Sequence, residues 1–394
     1  MPRFEPFRAI RYDLGTNEPA AVTAPPYDVI DAAGREALCR RSEVNVVNVD
    51  LPVSGADPYT EAAARLDRWR RDGVLILDDE PTFTVYRMER TDDDGRVRRT
   101  TGVFGAMQLS RPGEGDILPH EYTTPKARSD RLDLLRATRT NLSAVWGLSP
   151  APGLSDLLTI EDDPLCRFES DGVVHTLWCV NDPERMAAIG EKVGAHPIVI
   201  ADGHHRYETS LAYRDERTAA DGVPGAADSV LTFVVELVDD ELQVGPIHRL
   251  LSGLPDDTEV MAALERSFVV EPVADPSRLT VTALQDAGAL VLVRPGGAWW
   301  LRPRAEAMVG VADLDSSRLD HALTVLDGCS VRFQHGIDNV LTAVASGDAD
   351  AAVLLRPVTV AQIVAIADGG DRMPPKSTFF EPKPLTGLVF RSVD

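Results

Sequence analysis

One stretch of this sequence joins an apolar run to a cluster of charged side chains, and it constrains the fold more than any other feature. Residues 197–201, PIVIA, have the composition of a short buried strand. The letters DGHHR follow as residues 202–206, and Tyr207, Leu211 and Tyr213 then keep a roughly helical spacing. The pattern predicts a strand, a turn and a helix, which together form a common platform for anion binding.

The side chains of this turn suit a phosphate site. Gly203 would allow a ligand to approach the backbone closely. His204, His205 and Arg206 would contact an anion, and an arginine can hold a phosphate through two hydrogen bonds. Asp202 would face a cation or a hydroxyl. The alternative is a solvated turn around one buried histidine. The five consecutive residues from Asp202 to Arg206 together favour a functional site instead.

A second polar segment, LPHEYTTPKARSDR, occupies residues 118–131. It begins as a proline-fixed loop that sets Glu121 beside His120, and a carboxylate in that setting can act as a general base. Lys126 and Arg131 could neutralise a phosphate. The alternative is a solvated loop that leads into a basic helix face, because runs of charge are usually exposed.

The C-terminal segment KSTFFEPKPLTGLVF, residues 376–390, has a composition typical of a packed tail. Lys376 and Lys383 could close over a phosphate. The alternative is that the tail packs while its lysines stay exposed, since long side chains can keep their charged ends in water.

A transition-metal site is another interpretation of the histidines and carboxylates. The residues that could bind zinc or manganese are His120, Glu121, His204, His205 and Glu208. Neither an HExxH nor an HxH spacing is present, and adjacent residues on a helix point apart. Magnesium that bridges phosphates and one carboxylate is more natural, because this ion needs few protein ligands.

At 394 residues the chain is too long for one compact core, so two or three domains are expected. We place an N-terminal α/β segment at residues 1–95. A central segment with most of the polar motifs covers residues 96–240, and a C-terminal α/β domain covers residues 241–394, with its tail packing back on the core.

Local patterns predict several elements within these segments. A helix capped by Asp31 ends at Arg41, and an amphipathic helix runs from Pro58 to Arg71. Alternating apolar and polar residues predict a strand from Val44 to Leu51. The segment that starts with LPHE opens as a loop and becomes helical near Ser129 or Asp130.

Composition excludes several classes of protein. A formal charge of −22 argues against duplex DNA and anionic membranes as partners. No apolar run approaches the ~20 residues that span a bilayer, and the N-terminus lacks the apolar core of a signal peptide. The four cysteines form no CxxC pair, so we expect free thiols in a cytoplasmic protein. P-loop, GxGxxG, GxSxG and protein-kinase signatures are missing, so any nucleotide must use a less common site.

Four motifs resemble domain-of-unknown-function family 1015, and the resemblance covers almost the whole chain. They are APPYDVI at 24–30, LPHEYTTPKARSDR at 118–131, ADGHHRYET at 201–209 and MPPKSTFFEPKPLTGLVF at 373–390. Part of that family is similar to free L-serine kinases, which make O-phospho-L-serine from serine and a nucleoside di- or triphosphate. Those kinases carry a ParB/sulfiredoxin-like core.

The resemblance implies an α+β fold of mixed sheets with flanking helices. A ParB/sulfiredoxin-like catalytic core at 96–240 would carry N- and C-terminal α/β extensions. Glu121 would be the catalytic base, assisted by His120, and Asp202 would sit near Mg²⁺. The co-substrate would be ATP or ADP, and the acceptor would be serine. The chain could form a homodimer. The residues expected to bind nucleotide or phosphate are Gly203, His204, His205, Arg206, Lys126, Arg131 and Lys376.

Two alternatives to a kinase stay open. One is a nucleotide-binding switch without turnover, which ParB-like folds can form. The other is a metal-dependent hydrolase that acts on a phosphoester or amide through the histidine and glutamate cluster. No spacing argument identifies an acceptor pocket, for which the candidates are Asp28, Asn45, Asn48 and Asn141.

Overall fold

The computed structural model divides the chain into two compact units. It describes residues 2–394 except 54–56, 92–94, 112–113, 115–116, 120–124, 223–224, 239–240, 327, 369–372 and 375. The larger unit comprises residues 1–242 and 382–394, and the smaller unit comprises residues 243–381. The final residues of the chain therefore belong to the same unit as the DGHHR turn.

The larger unit combines α-helices and β-strands. Its described helices are α1 (Pro19–Val22), α2 (Ala32–Arg41), α3 (Val47–Asp50), α4 (Pro58–Arg71), α5 (Pro125–Thr138), α6 (Leu154–Leu157), α7 (Pro183–Gly194) and α8 (His204–Asp221). Its described strands are β1 (Phe4–Glu5), β2 (Ile10–Tyr12), β3 (Leu75–Leu77), β4 (Phe83–Thr91), β5 (Val97–Gln108), β6 (Ile117–Pro119), β7 (Thr140–Asn141), β8 (Val145–Ser149), β9 (Cys166–Ser170), β10 (Val173–Val180), β11 (Ile198–Asp202), β12 (Ser229–Glu236) and β21 (Arg391–Ser392).

A nine-stranded mixed sheet organises this unit. Its order is β6-β11-β8-β12-β5-β4-β10-β9, and β1 pairs with β5 beside this path. The β6–β11 and β8–β12 pairs are parallel, whereas β11 and β8 are antiparallel. Strands β4 and β5 come from the first and second predicted segments and pair along most of their length. The two segments therefore contribute strands to one sheet. The division of residues 1–240 into two domains stays a prediction.

The smaller unit is built on an antiparallel sheet with helices on both faces. Its described strands are β13 (Gln243–Gly245), β14 (His248–Ser252), β15 (Phe268–Pro272), β16 (Leu290–Arg294), β17 (Gly297–Pro303), β18 (Ser330–Gln334), β19 (Ala351–Leu354) and β20 (Phe379–Glu381). Its described helices are α9 (Asp257–Ser267), α10 (Val281–Ala287), α11 (Asp315–Leu323), α12 (Ile337–Ala345) and α13 (Val360–Asp368). Six strands form the order β15-β17-β16-β19-β14-β18. The adjacent residues Val291 and Leu292 join different apolar clusters, so both faces of this sheet are covered.

The mixed α+β architecture confirms the predicted class, and two helices match their sequence signals. The Asp31 side chain accepts a hydrogen bond from the Gly34 N–H at 2.7 Å and caps α2. Helix α4 buries one apolar stripe, as its periodicity predicts. Among the described residues, no helix is both long and apolar enough to cross a membrane.

Two local predictions are wrong. Residues 47–50 of the predicted strand form the short helix α3, because the Asn45 side chain accepts from the Val47 N–H and donates to the carbonyls of Ala21 and Thr23. These bonds hold a turn that competes with an extended backbone. Helix α5 starts at Pro125, before the predicted position, and proline is well suited to the first turn of a helix.

Candidate functional site

The DGHHR turn lies where β11 ends and α8 begins. Gly203 has a φ of 91°, a left-handed conformation that favours glycine. A Cβ at this position would lie 3.0 Å from the guanidinium carbon of Arg206, so the turn and that side chain are closely packed. Helix α8 then continues for 18 residues. Its first backbone N–H groups and its dipole favour an anion at this end.

Asp202 pairs with two cations that come from different parts of the chain. Its Oδ2 lies 2.5 Å from Arg206 Nη2, and its Oδ1 lies 3.0 Å from Lys383 Nζ. The same ammonium lies 2.9 Å from Asp28 Oδ2. Arg206 also donates to the Ala144 carbonyl. The turn, the N-terminal segment and the C-terminal tail therefore meet in one ion-paired cluster.

The cluster keeps its charges at neutral pH. Burial opposes ionisation of Asp202, but Arg206 and Lys383 outweigh it and lower the pKa of this carboxyl to about 2. Burial likewise opposes the charge on Lys383, and Asp202 and Asp28 overcome it and raise the pKa of this ammonium. Both partners of the Asp202–Lys383 pair therefore stay ionised.

Backbone pairing holds the tail beside the N-terminal segment. The N–H of Ala24 donates to the Thr386 carbonyl at 3.1 Å, and the N–H of Thr386 donates to the Ala24 carbonyl at 2.8 Å. Asp28 follows four residues later, in a 3₁₀ turn over residues 27–29. This backbone pairing between the two ends of the chain places Lys383 opposite Asp28.

Arg131 forms a second buried cluster on α5. Its guanidinium donates to the Asp130 carboxylate at 2.7 Å and to the Asp50 carbonyl at 2.6 Å, and it lies 4.3 Å from the centre of the Tyr27 ring. The Tyr59 hydroxyl donates to Asp130 at 2.7 Å. Burial raises the pKa of Asp50, although Arg131 opposes this shift. A buried arginine with these partners is rigidly oriented.

A cavity joins the two clusters. Its volume is about 50 Å³, enough for a few water molecules. Arg131 on α5 and Arg206 on α8 line it from separate helices. The other residues around it are Asp50, Leu134, Leu135, Thr140, Asn141, Leu142, Ser143, Thr209, Ser210 and Val230.

The structure brings some of the predicted site residues together and leaves others apart or undescribed. His204 and His205 lie in the first turn of α8, where His204 is buried beside Asp202. Lys376 is exposed at a turn of the smaller unit. Lys126 belongs to α5, but its side chain is outside the described part of the chain. The proposed catalytic residues, His120 and Glu121, also lie outside the described residues.

Asp202 does not fit the magnesium ligand that the resemblance implies. Each of its carboxylate oxygens faces a cationic nitrogen, from Arg206 or from Lys383, so an added divalent ion would meet two positive charges at close range. The described residues also contain no group of three His, Cys, Asp or Glu side chains that could hold a metal ion.

Sequence reasoning did not identify several residues of the two clusters. Asp50 falls within the stretch wrongly predicted as a strand, and Tyr59 carries no motif of its own. Tyr27 and Thr209 lie inside the motifs APPYDVI and ADGHHRYET, but neither was singled out as a site residue. Asp28 and Asn141 were candidates only for an acceptor pocket. The available signal was the density of polar residues at the ends of predicted helices and strands. That density does not indicate which of these ends lie close together in the fold.

Comparison with known proteins identifies one family over most of the chain. The family described as Protein of unknown function (DUF1015) matches residues 4–322. No protein with a curated description matches.

Solved structures give weaker similarities. A conserved hypothetical protein from Pyrococcus furiosus shares 14% identity at a TM-score of 0.37, covering 70% of this chain and 90% of its own. A free serine kinase in complex with AMP shares 14% identity at a TM-score of 0.39, with coverages of 70% and 88%. SbnI with C-terminal truncation from Staphylococcus aureus shares 13% identity at a TM-score of 0.37, covering 69% of this chain and 82% of its own. Scores this low assign neither a fold nor a function to this chain.

Proposed function

The chain belongs to the family described as Protein of unknown function (DUF1015), and we propose that it is a small-molecule kinase. The reaction transfers a phosphoryl group from ATP or ADP to free L-serine and gives O-phospho-L-serine. The identity of the acceptor follows from the resemblance of the sequence motifs. The geometry of the larger unit supports the proposed location of the reaction.

The parallel pairing of β6 and β11 carries the proposal. In this pair Pro119 lies opposite Ile200, two residues before Asp202. Because parallel strands end at the same edge of a sheet, the ends of β6 and β11 lie side by side. Glu121 follows Pro119 by two residues in the sequence. The base and the phosphate-binding turn can therefore serve one site.

Each proposed residue has a distinct role in the transfer. The serine hydroxyl oxygen attacks the terminal phosphorus of the nucleotide and forms the new P–O bond. The bond from that phosphorus to the bridging oxygen breaks, and the shortened nucleotide leaves. Glu121, assisted by His120, takes the hydroxyl proton. The N-terminus of α8, with His204, His205 and Arg206, stabilises the charge that spreads over the phosphoryl oxygens.

Magnesium enters this reaction with its nucleotide substrate. Mg²⁺ is bound chiefly by phosphate oxygens and water in many such sites, so it does not require the occupied carboxylate of Asp202. The Asp202–Arg206 pair instead orients the guanidinium toward the phosphates. We also propose that residues 96–240 contain a ParB/sulfiredoxin-like core, and that Lys126 contributes a further positive charge.

The test is direct. Purified full-length protein is incubated with L-serine and Mg-ATP or Mg-ADP, and O-phospho-L-serine is quantified by mass spectrometry beside a Glu121→Gln variant. We expect O-phospho-L-serine from the wild-type protein. Its rate of formation should be at least about 100-fold lower in the variant, because a general base usually contributes this much. No product above that of the variant would overturn it.

Two further measurements separate the kinase from the alternatives. Calorimetry with a nucleotide panel and gel filtration would reveal a switch, which binds nucleotide and changes its assembly without forming phosphoserine. Elemental analysis of untreated protein would favour a hydrolase if it showed stoichiometric zinc or manganese.

A further inference from the structure

We propose that the cavity between α5 and α8 is a binding site for the zwitterion of a small L-α-amino acid. The α-carboxylate would face Arg131 and Arg206, and the α-ammonium would face Asp50. This inference rests on the proposed function in one respect only, because it identifies where the acceptor of that reaction binds.

The cavity offers a charge pattern that matches a zwitterion. Among its lining side chains, Arg131 and Arg206 are cationic and Asp50 is anionic, and Arg131 Nη1 lies 3.5 Å from Asp50 Oδ1, so that a positive and a negative charge lie side by side on the cavity wall. Arg131 is 7% exposed and Asp50 is 4% exposed, so both charges act in a low-dielectric setting. A guanidinium presents several N–H donors in one plane, which suits a carboxylate. A simple anion such as inorganic phosphate would leave Asp50 facing a like charge.

Thr209 supplies an independent sign of a missing ligand. Its side chain is 3% exposed and lines the cavity, and its Oγ1 has no hydrogen-bond partner in the described structure. A buried hydroxyl without a partner costs free energy, so native proteins rarely keep one without a role. The neighbouring Ser210 hydroxyl differs, because it donates to the Arg206 carbonyl at 2.9 Å.

The position of the cavity suits an acceptor. Arg206 belongs both to the cavity and to the DGHHR turn, where it pairs with Asp202. Along α8, Thr209 lies about 9 Å from Gly203 at a rise of 1.5 Å per residue. An amino acid held beside Thr209 by its carboxylate could therefore extend a short side chain toward the start of the helix, where the phosphates are proposed to bind.

Calorimetry on the full chain without nucleotide tests the site. L-serine is compared with ethanolamine, which lacks the carboxylate, and with glycerate, which lacks the ammonium. We expect L-serine to bind at least about 10-fold more tightly than either analogue, because each loses a charged contact. Equal binding of all three, or no binding of L-serine, would overturn the site.

Variants assign the contacts. Thr209→Val keeps the shape but removes the unpartnered hydroxyl, and we expect about 10-fold weaker L-serine binding together with unchanged or higher thermal stability. The matched control is Thr218→Val on the same helix, which should leave the affinity within about 2-fold, because its hydroxyl donates to the Arg214 carbonyl at 2.9 Å and does not line the cavity. Equal effects of the two variants on affinity would contradict the assignment. Arg131→Met should weaken binding by about 30-fold.

The failure of this inference differs from the failure of the kinase proposal. Selective L-serine binding without phosphoserine formation would keep the site and remove the kinase. Phosphoserine formation with an L-serine KM that Thr209→Val and Arg131→Met leave unchanged would keep the kinase and remove the site.

Discussion

Lys383 donates a hydrogen bond to Asp202 at 3.0 Å across 181 residues of sequence. The same nitrogen reaches Asp28 at 2.9 Å, 355 residues away. Lys383 is one of only four lysines in a chain that otherwise uses arginine. A compact ammonium can lie between two carboxylates at hydrogen-bond distance from both, whereas a planar guanidinium presents a wider fork. The cluster therefore requires lysine chemistry at this position.

Replacing Lys383 should destabilise the larger unit and misplace the DGHHR turn. In Lys383→Met, Asp28 and Asp202 both lose this counter-ion, so we expect a loss of about 2 kcal/mol in the free energy of unfolding. Lys383→Arg should recover less than half of this loss, because the guanidinium does not reproduce the bridge. Urea denaturation measures both values.

Lys192→Met is the control for this experiment. Lys192 lies on α7 in the same unit, and its ammonium donates a hydrogen bond to the Pro152 carbonyl at 3.2 Å. Its replacement should change the free energy of unfolding by less than about 0.5 kcal/mol. A Lys383→Met protein as stable as Lys192→Met would show that the ion pairs contribute nothing measurable.

A side chain at Gly203 should be unfavourable for two separable reasons. Gly203→Ala adds a Cβ at positive φ and places it 3.0 Å from Arg206, whereas Gly172→Ala adds one at φ 77° with no atom within 4 Å. Both should lose about 1 kcal/mol of stability from the backbone conformation. Only Gly203→Ala should also weaken nucleotide binding, measured by calorimetry, because it displaces the guanidinium. Equal nucleotide affinity in the two variants would refute this explanation.

Local sequence signals predicted elements well where local forces decide the structure. Helix α2 is capped by Asp31 and α8 follows Gly203, and in both cases the controlling contact lies within four residues. The prediction failed at residues 47–50, because Asn45 binds the backbone of residues 21 and 23. No window of sequence around Asn45 contains that information.

The site shows the same division between local and distant causes. The acid, the glycine and the arginine of DGHHR lie within five consecutive residues, and the density of polar residues alone singled them out. Arg131 was predicted as a phosphate contact, but its described partners are Asp130, Asp50 and the Tyr27 ring. These partners depend on the packing of α5 against distant segments. The pairing of β6 with β11, which joins the two proposed loops, is likewise a long-range property.

Acid should destabilise the larger unit through His175. This residue is 2% exposed, and burial lowers its pKa from 6.5 to about 4. The unfolded chain takes up a proton near pH 6.5 while the folded chain does not, so stability is highest above pH 6.5 and falls as the pH drops toward 4. Between pH 7 and 5 the loss from this group should be about 2 kcal/mol.

A double replacement tests this contribution without leaving an orphaned hydroxyl. The Tyr86 hydroxyl lies 2.7 Å from His175 Nδ1, so Tyr86→Phe combined with His175→Phe removes both polar partners and keeps two rings in the core. The difference in unfolding free energy between pH 7 and 5 should shrink by about 2 kcal/mol. His196→Asn, at an exposed position, should leave that difference unchanged, and an unchanged value in the double variant would exclude His175 as the source.

The end of the chain should be as important to the larger unit as its central strands. Phe390 is fully buried, its ring centre lies 5.9 Å from that of Tyr12, and its N–H and carbonyl both pair with Ile10. Phe390→Ala should therefore cost about 3–5 kcal/mol by emptying a packed core site. Leu77→Ala, at a half-exposed position of the same unit, should cost less than about 1 kcal/mol. Chemical denaturation of both variants measures the contrast, and similar costs would mean that the tail is not part of the core. A large cost at Phe390 with the charges of Lys383 intact would show that apolar burial anchors the tail.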